Sequence, residues 1–193
     1  MSEDSPRRIA LFGGTFDPIH EGHLEIARLA KEALGLDEVR FLPCHTSPHK
    51  VGVLSAPPED RLEMVRLATT DLPWAVADDH DLTCPQPAYS FLTAEEMARR
   101  YPGSRLFWLM GADQWRALPH WKEPERFAAT VEFIVFARDG QPQAHPGWRM
   151  HSIPGTHLAS ATAIRRMLAE GNPPSWLPPA VADYIVRKGL YKP

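Results

Sequence analysis

Two glycines, Gly13 and Gly14, and two histidines, His20 and His23, lie within one short segment, Ile9-Ala-Leu-Phe-Gly-Gly-Thr-Phe-Asp-Pro-Ile-His-Glu-Gly-His23. Glycine has no Cβ, so an anion can approach the main-chain N–H groups of such a turn closely. Imidazoles three residues apart share one face of a first helical turn and can donate to phosphate oxygens. The helix that follows points its positive end at the same place. A lone Gly-Gly is ordinarily only a turn, and a histidine at a helix start only a cap. Together, after an apolar run, they point to a phosphate ligand. The segment is not a Walker A loop, since no Gly-Lys-Ser/Thr follows, and it is not Gly-x-Gly-x-x-Gly.

The elements that must position these residues are short. Compact apolar runs predict strands over Arg8–Phe12, Val39–Pro43, Ala75–Ala77, Leu106–Met110, Val131–Ala137 and Met150–Ile153, as expected of buried parallel strands. Helical spacing predicts helices over His23–Leu34, Glu59–Thr70, Ser90–Tyr101, Ala161–Glu170 and Ala180–Lys188, several of them closed by glycine. In the second helix Leu62, Val65 and the Leu67–Ala68 pair form the apolar stripe, and Arg61 and Arg66 are expected to face elsewhere. Alternation of the two element types predicts an α/β domain with a mostly parallel sheet. Ligands of such sheets sit beyond the carboxyl ends of the strands, which is where Gly13 and Gly14 fall.

Composition narrows the function classes. The chain has 193 residues, 44% hydrophobic and 23% charged, as in an ordinary globular protein. A net charge of −3 argues against a general nucleic-acid binder, which needs a surplus of Lys and Arg. Cys44 and Cys84 are too few for a disulfide framework or a four-sulfur zinc site. The N-terminus lacks a signal-peptide apolar region, and no apolar run approaches the roughly 20 residues that cross a bilayer. A cytoplasmic protein with neither membrane nor nucleic acid as partner is expected. Twenty prolines imply many ordered loops.

The segment Gly-Gly-Thr-Phe-Asp-Pro-x-His-x-Gly-His resembles the signature of the nucleotidylyltransferase superfamily. Further along, Pro48-His49-Lys50 is similar to that family's phosphate-binding loop. Gly111-Ala112-Asp113 with Leu118 and Trp121 is similar to a segment of the nicotinate-nucleotide adenylyltransferases. Ser160-Ala-Thr-Ala-Ile-Arg165 resembles the Ser-x-Thr-x-x-Arg motif, and the ending Leu177 to Tyr191 resembles the adenylyltransferase C-terminus. Ser47 and Ala161 depart from residues often seen there, and Gln86 to Ser90 is a looser match.

The resemblance implies a Rossmann-like three-layer α/β/α domain over residues 1–193, with the C-terminal helices completing an ATP site. It implies adenylyl transfer from ATP to nicotinate mononucleotide, giving nicotinate adenine dinucleotide and pyrophosphate, with Mg²⁺ accompanying ATP. His20, His23, Lys50 and Arg165 would act on the transferring phosphates. Gly13, Gly14, Thr15, Phe16, Gly111, Asp113, Ser160 and Thr162 would hold the nucleotide. Tyr89, Ser90, Trp121 and Arg138 would contact the acceptor. A homo-oligomer is compatible with it. The chemistry is self-consistent. A phosphate monoester, with a second pKa of about 6, is already ionised near neutral pH and needs no general base. What it needs is positioning and cover for negative charge.

Other readings stay in view. Nicotinamide mononucleotide is an alternative acceptor, and phosphopantetheine adenylyltransferases and cytidylyltransferases share the first motif. Asp78 to Asp81 could belong to a metal-dependent phosphohydrolase, against a solvated turn at a strand end. Cys44, His45 and His49 suggest zinc but lack a fourth spaced ligand. An inactive nucleotide-binding module would keep the fold without turnover.

Overall fold

The computed structural model describes residues 5–45, 55–137, 140–155, 159–172 and 175–192. Six strands, β1 (Arg8–Gly14), β2 (Glu38–Pro43), β3 (Ala75–Ala77), β4 (Arg105–Gly111), β5 (Glu132–Ala137) and β6 (Met150–Pro154), form one sheet in the order β3-β2-β1-β4-β5-β6. Every pairing is parallel. The expected sheet is therefore present and wholly parallel among the described residues. Strand β1 runs two residues further than expected, pairing Gly13 with Leu42 and Gly14 with Pro43.

Period-2 alternation sends side chains to both faces of the sheet. Ala10, Phe12, Phe107, Leu109 and Ile134 join one core, with residues of α1 (Glu21–Leu34), α2 (Pro58–Thr69), α7 (Ala161–Ala169) and α8 (Pro179–Lys188). Ile9, Leu11, Leu106, Trp108, Met110, Phe133 and Val135 join the other. They pack with Phe91, Ala94 and Met97 of α4 (Ser90–Arg100), Trp115 of α5 (Ala112–Ala117) and Phe127 of α6 (Pro124–Thr130). A sheet covered on both faces gives three layers, which is why its strands read as continuous apolar runs rather than alternating ones. The single turn α3 (His80–Thr83) and a 3₁₀ turn at Leu118–His120 complete the described elements.

The last helix is held by polar ties as well as by burial. Tyr184 donates its hydroxyl to Asp60 at 2.6 Å, and Lys188 pairs with the same carboxylate at 3.1 Å. These ties dock α8 on α2. No described helix is long and apolar enough to cross a membrane.

Candidate active site

Strand order reverses between β1 and β4. Chain connections leave to opposite sides there, opening a crevice beyond the strand ends. A cavity of about 520 Å³ occupies that position. Gly13, Gly14 and Thr15 form one wall, Tyr89 and Ser90 another, and Asp113 and Trp121 a third. Sequence positions some 100 residues apart thus line one cavity.

The glycines have a packing reason beyond anion approach. A Cβ on Gly13 would stand 2.8 Å from Trp108 Cζ2, and one on Gly14 would stand 3.0 Å from the Phe16 ring. Phe16 itself has φ 47°, in the left-handed region that a bulky residue rarely adopts. Such a conformation persists only where its surroundings hold it, and here Phe12, His23 and Phe41 surround the ring.

Helix α1 begins at Glu21, two residues earlier than expected, which makes His20 its N-cap and His23 the third helical residue. The main-chain N–H of His20 donates to His23 Nδ1 at 3.2 Å. A histidine thus takes the place that Glu or Gln holds in a capping box. In the neutral ring that bond leaves the proton on Nε2, a donor. The two imidazoles stack at 3.7 Å between centroids. Ahead of them the N–H of Glu21 is met by the carbonyl of Trp176, which brings the C-terminal segment to the same corner.

Ser160 is the N-cap of α7 and Thr162 lies in its first turn, both exposed. Arg165 reaches from that helix to the first turn of the chain, donating from Nη1 to the Asp17 carbonyl at 2.6 Å and from Nη2 to Thr162 at 3.4 Å. Gly111 caps α5 and its N–H donates to Gln114 at 3.3 Å. The Asp113 side chain is 95% exposed and pairs with Arg116 at 3.2 Å. Trp121 is half-buried, with one face stacked on Phe127. Lys50, its neighbour His49, and Arg138 lie outside the described residues.

Three residues in this neighbourhood escape the sequence reading. Asp17 is buried, and its Oδ1 accepts from Ala56 N–H at 3.0 Å and Tyr191 O–H at 2.7 Å. Arg61 does not face away from the core. It is 1% exposed and bonded to four carbonyls. Its signal was the i, i+3, i+4, i+7 spacing of Arg61, Met64, Val65 and Ala68, all buried on α2. Asp81 lines the cavity and accepts from Thr93 O–H at 2.7 Å. Burial pushes its carboxyl up to about 6.

The turn at Asp78 to Asp81 is therefore not a solvated one. Asp78 and Asp81 are buried, and Asp78 pairs with Arg40 at 2.6 Å. His80, Asp81 and Cys84 have ligand atoms within 4.8 Å of one another. Asp81, however, is engaged by Thr93, and His80 Nδ1 stands 3.1 Å from an Arg100 nitrogen. Both acids are committed to the scaffold, which leaves little for a phosphohydrolase.

The cytidylyltransferase-like family model matches residues 11–167. A Thermus thermophilus protein described as "Probable nicotinate-nucleotide adenylyltransferase" is 41% identical over 188 residues, covering 96% of this chain and 100% of that protein. A Neisseria meningitidis protein of the same description is 38% identical over 201 residues, covering 96% and 99%. Among solved structures, a Plasmodium falciparum nicotinic acid mononucleotide adenylyltransferase complexed with NaAD superposes with TM-score 0.78 at 18% identity, covering 96% of this chain and 97% of that one. That last likeness carries the fold.

Proposed function

The chain belongs to the cytidylyltransferase-like family, alongside its nicotinate-nucleotide adenylyltransferases, and from that premise we propose that it transfers adenylate from ATP to nicotinate mononucleotide in NAD biosynthesis. The observation that carries the proposal is the donor-rich corner after β1. His20 stacks on His23, which packs on Phe16, and Arg165 bonds Asp17, so these donors gather on the turn whose Thr15 lines the cavity where the sheet order reverses.

A phosphate oxygen of the mononucleotide attacks the α-phosphorus of ATP. The new P–O bond forms as the bond to the bridging α–β oxygen breaks, and that electron pair leaves with pyrophosphate. No proton must be removed first, because the attacking phosphate is already ionised. The protein's task is to align the two phosphates and cover the charge that builds on the leaving group. His23 Nε2–H and His20 donate at the transferring phosphoryl group. Ser160 and Thr162 hydroxyls and the Arg165 guanidinium, at the start of α7, grip the β- and γ-phosphates. Lys50 adds a point charge from its loop.

The residues around this corner fit Mg²⁺ brought in by ATP. They are N–H, imidazole, guanidinium and hydroxyl donors; of the buried carboxylates described nearby, Asp17 has its Oδ1 taken by Ala56 and Tyr191, and Asp81 accepts from Thr93. With no carboxylate cage, the phosphates and retained waters would hold the ion. When bound it neutralises charge across the triphosphate.

The ring of the acceptor goes to the Tyr89, Ser90 and Trp121 end of the cavity. Trp121, backed by Phe127, offers a flat face for stacking. The Trp121 N–H is taken by the Leu118 carbonyl at 3.0 Å, so it is main-chain N–H groups in the first turn of α4, at Ser90, that would favour a carboxylate over a carboxamide, whose NH₂ would face donors. Place and partners follow: a cytoplasmic enzyme with small nucleotides as substrates. The test is pyrophosphate release with ATP, Mg²⁺ and either nicotinate or nicotinamide mononucleotide. Release favouring nicotinate mononucleotide at least tenfold in kcat/KM is expected. Equal values would remove the acceptor assignment, and no release would remove the activity.

A further inference from the structure

Arg61 is a buried cation with no carboxylate within ion-pair distance among the described residues. Its guanidinium donates instead to four main-chain carbonyls. Nη1 reaches Thr15 at 2.6 Å and Cys44 at 2.8 Å, Nη2 reaches His45 at 2.9 Å, and Nε reaches Ala56 at 3.1 Å. These carbonyls come from three places: the turn after β1, the end of β2, and the residues just before α2. Ala56 is tied a second time, its N–H donating to Asp17 Oδ1.

Burying an unpaired charge is expensive, and a methionine of similar length would fill the same volume of core without that penalty. The guanidinium brings two things a methionine lacks. Its planar fork of donors fixes several carbonyls at once. It also leaves a positive charge directly behind Thr15. The influence of that charge reaches the neighbouring groups, where it opposes the effect of burial on Cys44 and Tyr191.

The geometry has a direct consequence for the turn. The Thr15–Phe16 peptide is trans, since the cis bonds are Asp17-Pro18 and Gln86-Pro87. In a trans peptide the C=O and the following N–H point opposite ways. Drawing the Thr15 carbonyl onto Arg61 therefore turns the Phe16 N–H away from the guanidinium. It also steadies the left-handed backbone of Phe16, φ 47°.

We infer that Arg61 is a positioning residue for the polyphosphate of ATP: it holds the Thr15–Phe16 peptide with its N–H turned outward and sets one buried positive charge behind that turn. The inference rests on the adenylyl-transfer reading, and the bonds of Arg61 go to Thr15, Cys44, His45 and Ala56, none to Tyr89, Ser90 or Trp121, where the acceptor ring is assigned. Loss of Arg61 should therefore weaken ATP and spare the acceptor.

Wild type, Arg61→Lys and Arg61→Met are compared by pyrophosphate release, varying ATP and nicotinate mononucleotide separately, with Tm recorded for each. An inactive wild type would remove the functional reading and this inference with it. With an active wild type, Arg61→Lys keeps the charge but has donors for at most three of the four carbonyls. It should raise KM for ATP about tenfold and leave KM for the mononucleotide within about twofold. Arg61→Met loses the charge too and should raise KM for ATP about 100-fold. If the methionine variant does not fold, the lysine variant decides. Unchanged constants in Arg61→Lys, an equal rise in both KM values, or a fall in kcat matching the loss of folded protein with both KM values unmoved would each overturn the inference.

Discussion

Arg165 Nη1 lies 2.6 Å from the carbonyl oxygen of Asp17, a bond that spans 148 positions of sequence. The same nitrogen is 3.8 Å from the Asp17 carboxylate, and both side chains are largely buried. The arginine proposed to grip phosphate is thus held by main chain of the turn proposed to cradle it. Tyr191, near the end of the described chain, bonds the other carboxylate oxygen at 2.7 Å. Helix α7 and the C-terminal tyrosine thus both close on the turn that follows the first strand.

Arg165→Lys should separate anchoring from charge. A lysine has one nitrogen and cannot serve the Asp17 carbonyl and a phosphate in the same forked way. The expected result is a kcat/KM for ATP lowered about 10–100-fold, with Tm reduced modestly. Arg165→Ala should lower it further and destabilise the fold by about 1–3 kcal/mol, since a charge-assisted bond to a buried carbonyl disappears. Steady-state kinetics with ATP varied, beside urea unfolding, would check both. A stable, fully active alanine variant would remove Arg165 from the phosphate site.

His23 has two separable tasks. Its Nδ1 accepts from His20 N–H, and its Nε2–H is the donor proposed above for the transferring phosphoryl group. Glutamine at the third helical position can perform the cap but lacks the imidazole. His23→Gln should therefore keep Tm close to wild type while kcat falls about 10²–10³-fold, as when a transition-state donor is lost. His23→Ala should show the same kcat loss together with about 1 kcal/mol of lost stability. Turnover retained in both variants would take His23 out of the mechanism.

The sheet was legible because strands buried on both faces are continuous apolar runs, and all six appear at the expected places. Helices α5 and α6, with six and seven residues, are too short for a 3.6-residue period to declare itself, and α3 is a single turn. The start of α1 was displaced because histidine is an unusual N-cap, so the usual Ser, Thr, Asp or Asn signal was missing. The site divided along similar lines. His20 and His23 announce themselves by spacing within one turn. Asp17 and Arg61 act through partners distant in sequence, Tyr191 and Arg165 for one, Thr15 and Cys44 for the other, and no local pattern encodes such pairings. Asp81 looked solvated because acids cluster there, yet Thr93 and the packed turn bury it.

Asp81 should leave a mark on stability against pH. Burial raises its carboxyl to about 6 in the folded protein, from an ordinary 3.8, against the opposing pull of the Thr93 hydroxyl. Between these values the folded state holds a proton that the unfolded chain has released, so this group's contribution falls as pH rises. It is fully present below pH 3.8 and lost once pH passes about 6, a swing of roughly 3 kcal/mol. Asparagine keeps an acceptor for Thr93 and does not titrate. The stability of wild type relative to Asp81→Asn should therefore drop by a few kcal/mol between about pH 4 and pH 7, measured by urea unfolding. A gap constant with pH would place the carboxyl in its ordinary range.

Gly13 tests whether the first glycine serves packing as well as ligand approach. An added Cβ would meet Trp108 Cζ2 at 2.8 Å. Trp108 is 4% exposed and packs edge-on against Phe127 at 4.9 Å, so its ring has little room to retreat. Overpacking of this kind costs about 1–3 kcal/mol. Gly13→Ala should be destabilised by that amount, and it should also lose activity because both residues line the cavity. Trp108→Phe removes the ring that is struck. In that background the alanine should be tolerated, giving a coupling of about 1 kcal/mol or more in a double-mutant cycle read by urea unfolding. Strict additivity would mean that the strain falls elsewhere and that the glycine is needed for the ligand alone.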